Sequence, residues 1–191
     1  GQALLQAVAV EDGKILQVGS NAAINALADA QTRRIDLAGK VLMPGMIDTH
    51  SHPIMGALDS LRANLYDEVK PLADLETWIR AQDQAGVARM GDVVVISGAS
   101  SAYWQHSREL AKRFNQGDWA KQPLVLDGID GHTGWANRAM LERLGINAAL
   151  VKGLDAKEAG YIEHDADLTP TGYLAETGWD RVRSQLPAPS P

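Results

Sequence analysis

The sequence predicts an α/β fold in which a short β segment precedes a parallel sheet of βα units. From about residue 48 onward, apolar strand-like runs alternate with segments whose apolar residues recur at helical spacing. The run 93–97 (VVVIS) is continuous and largely β-branched, which is typical of a strand buried on both faces of a parallel sheet. The opening residues carry shorter strand signals, so the βα units begin only after them.

The first elements are a hairpin and a short helix. Residues 5–19 contain two apolar runs on either side of Asp12 and Gly13, and Asp-Gly is a strong hairpin signal. Ser20 or Asn21 can accept hydrogen bonds from the first amides of a helix that follows.

The elements after this hairpin follow from the apolar periodicity. The predicted strands cover residues 33–37, 41–47, 93–97 and 123–126, and the predicted helices cover 56–65, 74–85, 107–116 and 135–144. Ser107 is the expected cap of the third helix, and Gly145 ends the fourth in the left-handed conformation. Residues 161–163 and 173–175 predict a hairpin that interrupts the alternation near residues 160–176.

A His-x-His pair follows the predicted strand 41–47. Side chains alternate along a strand, so Asp48, His50 and His52 are expected on one face. Two imidazoles at this spacing can chelate one divalent metal ion, and the carboxylate can orient one of them. The competing interpretation is a chance pair of exposed histidines. The Pro-Gly strand in front of the pair favours the metal site.

Composition excludes several classes of function. A net charge of −6 without a basic run argues against nucleic-acid binding. No apolar stretch reaches the roughly 18 residues that span a bilayer. The chain has no cysteine, so a metal ion would need histidine and carboxylate ligands. A cytoplasmic location is favoured, and a removed N-terminal signal is left open.

Three segments resemble one enzyme family. Residues 44–52 (PGMIDTHSH) resemble the first-strand signature of the amidohydrolase superfamily, the metal-dependent hydrolases built on a TIM barrel. Residues 130–141 (DGHTGWANRAML) and 169–176 (TPTGYLAE) are similar to segments of the subgroup that includes N-substituted formamide deformylase. A whole barrel needs about 250 residues. The resemblance therefore implies that these 191 residues form the N-terminal portion of such an enzyme, with an incomplete (β/α)8 barrel.

The resemblance also implies a domain division. Residues 1–40 would belong to a small β-sandwich-like domain, and residues 41–191 would supply the first βα units of the barrel domain. Residues near 160–176 would be a hairpin insertion in that second domain.

The resemblance implies a site at the carboxyl ends of the barrel strands. His50 and His52 would bind a divalent metal ion, expected to be zinc, and His132 would be catalytic as a donor to the substrate carbonyl oxygen. The alternative for His132 is a structural residue that caps a helix or bonds a loop carbonyl.

Four further residues are candidates to contact the substrate or to orient the residues that do: Asp48, Asp130, Trp135 and Glu176. Trp135 can instead pack in the core, and Glu176 can instead be solvated or paired within the hairpin. Glu176 could also reach the metal ion as a carboxylate ligand.

Two functions therefore stay open. The first is metal-dependent hydrolysis of a carbon–nitrogen bond, other than a peptide bond, in a small amide such as an N-formyl or N-acyl compound. The complete enzyme would carry this activity, and these 191 residues alone would be inactive. The second is a catalytically silent folded module, or a proteolytic fragment, with a structural or interaction role. Neither needs a nucleic acid or a membrane, and a homo-oligomer is an open expectation because an unclosed barrel leaves strand edges uncovered.

Overall fold

The computed structural model describes residues 5–187, apart from the side chain of Met55, and divides into two compact units between Thr49 and His50. The predicted domains 1–40 and 41–191 extend at their outer ends to residues 1–4 and 188–191, which lie outside the described residues. The assignment of residues to two domains stays a prediction.

The first unit contains a hairpin and one short helix: β1 (Ala7–Glu11), β2 (Lys14–Gly19) and α1 (Asn21–Asn25). The two strands pair antiparallel, and both turn residues, Asp12 and Gly13, have positive φ, as a tight hairpin turn requires. The Ser20 hydroxyl accepts a hydrogen bond from the Ala23 amide at 3.2 Å. The predicted hairpin and the predicted Ser20 cap are confirmed.

The strands predicted over 33–37 and 41–47 are wrong. Both segments lack regular secondary structure, and Met46 and Ile47 are 90% and 88% exposed. A strand forms only where its backbone is paired and its apolar face is covered. Among the described residues no strand pairs with either segment, so the apolar runs stay in water.

The second unit is a six-stranded mixed sheet with helices. In the order in which they neighbour one another, its strands are β3 (Arg89–Met90), β4 (Val93–Ala99), β5 (Leu124–Gly128), β6 (Thr133–Ala136), β8 (Pro170–Ala175) and β7 (Ile162–His164). Its helices are α2 (Pro53–Asp59), α3 (Leu72–Gln84), α4 (Ser107–Phe114), α5 (Arg138–Arg143), α6 (Ala148–Gly153), α7 (Ala156–Ala159) and α8 (Glu176–Arg183).

One βα unit lies at the centre of this sheet. Strands β4 and β5 pair parallel, and α4 connects them together with two 3₁₀ turns. All seven residues of β4 are buried, which confirms a strand covered on both faces. The other pairings are antiparallel, and the sheet has two edges, β3 and β7, within the described residues. The α/β class is confirmed, while a closed barrel is not observed in this part of the chain.

Three predicted helix features need correction. The helix expected over 56–65 is α2, and it spans Pro53–Asp59. The helix expected over 135–144 begins only at Arg138, because residues 133–136 pair as strand β6. Ser107 does not cap α4, because it is the first helical residue and its hydroxyl donates to the Glu163 carboxylate.

The remaining predictions for this unit are confirmed. Helix α3 and the hairpin of β7 and β8 lie where the sequence placed them. Gly145 follows α5 with φ +67°, the left-handed end expected of a glycine.

Two apolar clusters cover the two faces of the sheet. Alternate residues of β4 enter different clusters: Val94 and Ile96 pack with α3 and α4, whereas Val93 and Val95 pack with α5 and α8. This packing fixes β4 and β5 from both sides. The loops that follow their carboxyl ends therefore start from a rigid base.

Candidate functional site

His50 and His52 point their ring nitrogens at each other. Their Nε2 atoms are 3.0 Å apart, and the two exposed rings lie edge to face with centroids 4.9 Å apart. Two nitrogens bound to one tetrahedral zinc ion at 2.0–2.1 Å would be separated by about 3.3 Å. The donor set and the convergence of the two nitrogens therefore suit a shared divalent ion.

The predicted strand face that joined Asp48 to this pair does not form. Residues 41–52 are not a strand, so the alternation argument for Asp48, His50 and His52 is wrong. The histidines converge instead because the chain turns there into α2, whose N-cap residue is His52. Among the described residues, no group of three or more histidine or acidic side chains is arranged to hold a metal ion.

Asp130 organises the loop between β5 and β6. Its Oδ1 accepts hydrogen bonds from the amides of His132 and Thr133, both at 3.0 Å, and its Oδ2 accepts one from the Thr133 hydroxyl at 2.7 Å. Partial burial raises the pKa of Asp130, but these hydrogen bonds outweigh it and hold the pKa below its usual value. The carboxylate is thus committed to shaping the loop that carries His132.

Two residues that sequence reasoning did not assign to the site support this loop. The Trp104 indole donates to Thr133 Oγ1 at 2.8 Å, while that hydroxyl donates to Asp130. Trp104 also packs in the core, where it is 9% exposed. The only indication of this role in the sequence was that Thr133 directly follows His132, the predicted catalytic histidine.

His132 and Glu176 meet although they lie 44 residues apart in the chain. The His132 Nδ1 is 3.3 Å from the Glu176 Oε2, and the Glu176 amide donates to the His132 carbonyl at 2.8 Å. Pairing of Thr133 with Ala175 in β6 and β8 places them side by side. Their side chains are 69% and 51% exposed, so both face solvent.

The Glu176 carboxylate defines what the imidazole can do. When Nδ1–H is donated to Glu176, the neutral ring has only Nε2 left, as an acceptor. A protonated ring presents Nε2–H as a donor. The contact with Glu176 therefore sets the orientation in which Nε2 of His132 faces a partner.

Asp127 is a partly buried acidic residue of this region. It lies on β5, and the Trp179 indole donates to its Oδ1 at 3.3 Å. Burial raises the pKa of Asp127; Arg183 opposes the shift and Asp59 adds to it. The signal in the sequence was an acidic residue directly after a run of three apolar strand residues.

Comparison with known proteins assigns the family. The sequence profile described as "Amidohydrolase family" matches residues 33–191. The chain belongs to the amidohydrolase family. The predicted resemblance to this superfamily is confirmed, and hydrolysis is the general function that the assignment supports.

The chain matches part of the length of each of three relatives. This chain is 28% identical over 184 residues to N-substituted formamide deformylase of Arthrobacter pascens, and the alignment covers 94% of this chain and 32% of that protein. This chain is 26% identical to the putative amidohydrolase YtcJ of Bacillus subtilis, and the alignment covers 95% of this chain and 33% of that protein. This chain is 26% identical to the exoenzymes regulatory protein AepA of Pectobacterium carotovorum, and the alignment covers 91% of this chain and 37% of that protein. The chain spans about a third of the length of these relatives.

A solved structure is similar at a lower level. An uncharacterized metal-dependent hydrolase from Pyrococcus horikoshii matches 93% of this chain and 31% of its own, with 18% identity and a TM-score of 0.41.

Within this amidohydrolase chain, Trp135 and Asn137 lie in the core. Both are fully buried, Trp135 in β6 and Asn137 at the N-cap of α5. The Trp135 indole nitrogen has no hydrogen-bond partner among the described residues and lies against Gly172. A role for Trp135 in lining a pocket stays a prediction.

No helix in the described part of the amidohydrolase chain is both long enough and apolar enough to cross a membrane.

Proposed function

We propose that the complete protein hydrolyses a carbon–nitrogen bond in a small amide, with N-formyl and N-acyl compounds as the substrate class. The observation that carries this proposal is the approach of the His50 and His52 Nε2 atoms to 3.0 Å in an amidohydrolase chain. The name of the formamide deformylase relative supports the substrate class.

His50 and His52 would hold two of the ligand positions of a divalent ion, which we take to be zinc. Such an ion, when bound, activates water and polarises the substrate carbonyl. The remaining protein ligands would come from parts of the complete protein beyond these residues, since catalytic zinc sites use about three protein ligands.

His132 would act on the substrate from the rim of the sheet. Its protonated ring would donate Nε2–H to the carbonyl oxygen as that oxygen becomes negative. Glu176 would position the ring through Nδ1, and Asp130 would fix the loop through the His132 amide. Glu176 is thus proposed as a positioning residue and not as a metal ligand. Asp48 and Trp135 stay as predicted contributors to the substrate surroundings.

One observation favours the alternative for the 191 residues taken alone. Both histidines are exposed, and among the described residues no group of three or more histidine or acidic side chains is arranged to hold a metal ion. These residues would then be a catalytically silent portion, whatever the complete enzyme does. Exposed apolar residues such as Val41 and Leu42 also support association with further protein, a second copy included.

The test is metal titration followed by activity. Calorimetry of the 191-residue chain with Zn²⁺ is expected to give weak binding, because two imidazoles leave the coordination incomplete. His50→Ala and His52→Ala should each abolish that heat, whereas His106→Ala, an exposed histidine with no side-chain capping bond, should leave it unchanged.

Activity is measured in the complete protein. A panel of N-substituted formamides and N-acyl amines should be hydrolysed, and turnover and metal content should fall together in both histidine variants. Full turnover in His50→Ala and His52→Ala would show that these residues are not the metal ligands. A tight stoichiometric Zn²⁺ site in the 191 residues would contradict the incomplete coordination proposed here.

A further inference from the structure

A groove lies at the opposite end of the sheet from His132. It is about 560 Å³ and is formed by α4, α5, the segment before α6 and the start of β8. Ala136 lines it and pairs with Val125 near the amino end of β5, whereas His132 follows the carboxyl end. The groove therefore shares no residue with the proposed hydrolytic site.

Apolar side chains form much of this groove: Ala111, Ala136, Leu141 and Ile146. The last three belong to, or pack with, the apolar cluster on the α5 side of the sheet. These three side chains are at most 5% exposed and form the buried floor of the groove, while the half-buried Ala111, Ala148 and Pro170 supply the apolar surface that a ligand could contact. A ligand with an apolar body could bury itself against it without reordering the chain.

Positive charge lines the same groove. Arg108 is engaged by Asp165, to which it donates at 2.8 and 3.2 Å. Lys112 and Arg138 also line the groove, and neither has a carboxylate within 4.0 Å among the described residues. Glu142 is the other acid at the edge. Two cations without an ion pair are notable because the chain as a whole carries a charge of −6.

We propose that this groove binds a small organic anion in which one carboxylate is attached to an apolar chain or ring. The carboxylate would be held by Lys112 and by the planar fork of Arg138, which can donate two parallel hydrogen bonds. The apolar part would lie on Ala111, Ala148 and Pro170. Charge and apolar contact are both required, because an exposed ion pair alone contributes little in water.

The experiment titrates the full chain with hexanoate by calorimetry, with hexanol and inorganic phosphate as comparison ligands. Hexanoate should bind saturably at one site. Hexanol lacks the charge and phosphate lacks the apolar body, so each should bind at least about tenfold more weakly, as expected when a charge-assisted hydrogen bond or a buried chain is lost.

Substitutions locate the site. Lys112→Gln and Arg138→Gln should each weaken hexanoate binding by about three- to tenfold. Lys121→Gln, an exposed lysine outside the groove, should change it by less than about twofold. Because the exchanged side chains are exposed, the fold should survive. The amide chemical shifts of Ala111 and Ala136 in the unsubstituted chain give a second measurement and should move on titration.

Three results would overturn the proposal: no saturable binding of hexanoate, equal weakening by Lys121→Gln, or phosphate binding as tight as hexanoate. Shifts confined to residues near His132 would also overturn it, because they would place the anion at the other end of the sheet.

Discussion

Asn137→Ala is expected to be the most destabilising polar substitution in the second unit. The Asn137 Oδ1 accepts hydrogen bonds from the amides of Leu124 and Met140, at 3.0 and 3.1 Å. Its Nδ2 lies 2.8–3.1 Å from three backbone carbonyl oxygens, to which it donates: those of Phe114, Trp119 and Gln122. One side chain thus joins the start of β5, the cap of α5 and the end of the βα crossover.

The loss of stability expected for Asn137→Ala follows from these contacts. Leaving the buried Leu124 amide without this acceptor costs about 1–3 kcal/mol. Loss of the α5 cap costs about 1 kcal/mol, and it is not more because the Met140 amide also bonds the Asn137 carbonyl. The three carbonyls keep a second lone pair, so each contributes roughly 0.5 kcal/mol. The free energy of unfolding should fall by about 3.5–5.5 kcal/mol.

Urea denaturation followed by circular dichroism measures this loss. Asn147→Ala is the matched control, because Asn147 also caps a helix, α6, with two amide bonds at 3.0 Å, but is exposed. It should cost about 1 kcal/mol. Asn137→Asp keeps the acceptor and places a carboxylate against three carbonyl oxygens, so it should also destabilise strongly. Equal losses in Asn137→Ala and Asn147→Ala would refute the reasoning.

Three further predictions concern the core, Asp127 and the site. Gly172→Ala should lower the melting temperature strongly, because φ is +115° and the new Cβ would lie 2.3 Å from the Trp135 Nε1; an unchanged melting temperature would contradict this packing. Burial raises the pKa of Asp127. Above about pH 4 the folded state therefore binds more protons than the unfolded state, and the free energy of unfolding falls as the pH rises. Asp127→Asn should therefore gain stability relative to the parent between pH 4 and 7, as measured by urea denaturation, and a constant difference would show that Asp127 does not titrate there. In the complete enzyme, His132→Ala should lower kcat by roughly 10²–10³ with metal content unchanged, whereas loss of metal would make His132 a ligand.

The sequence predicted the buried βα unit because its signals were local. Residues 93–97 could be identified by β-branched continuity, and the β7–β8 hairpin by its turn residues. The predicted helix 135–144 wrongly included Trp135 and Ala136, the last two residues of β6, because the four residues of this strand, TGWA, show neither strand nor helix periodicity. Only its pairing with β5 and β8 makes it a strand, and pairing between distant segments is not visible in one sequence.

The strand predicted over residues 41–47 is wrong for the opposite reason: it has the local strand pattern that β6 lacks, but no pairing in the part of the chain that the structure describes. The local pattern is that of an apolar strand, but the described residues supply neither a partner strand nor a covering layer. Local propensity without tertiary contacts does not hold a strand in water. The His50–His52 pair was nevertheless found from the sequence, because its two histidines lie two residues apart and converge where the chain turns into α2.

The two parts of the candidate site therefore rest on different kinds of structure. The His50–His52 part, which we propose binds a metal ion, depends on the local turn into α2, so it does not need the predicted strand. The His132–Glu176 part depends on antiparallel pairing of β6 with β8, because Thr133 and Ala175 are register partners. Since Asp130 also fixes the His132 loop from within the same β5–β6 connection, this second part is built wholly inside the described sheet. It follows that a substitution that unfolds the β6–β8 pairing should separate His132 from Glu176 while His50 and His52 stay adjacent.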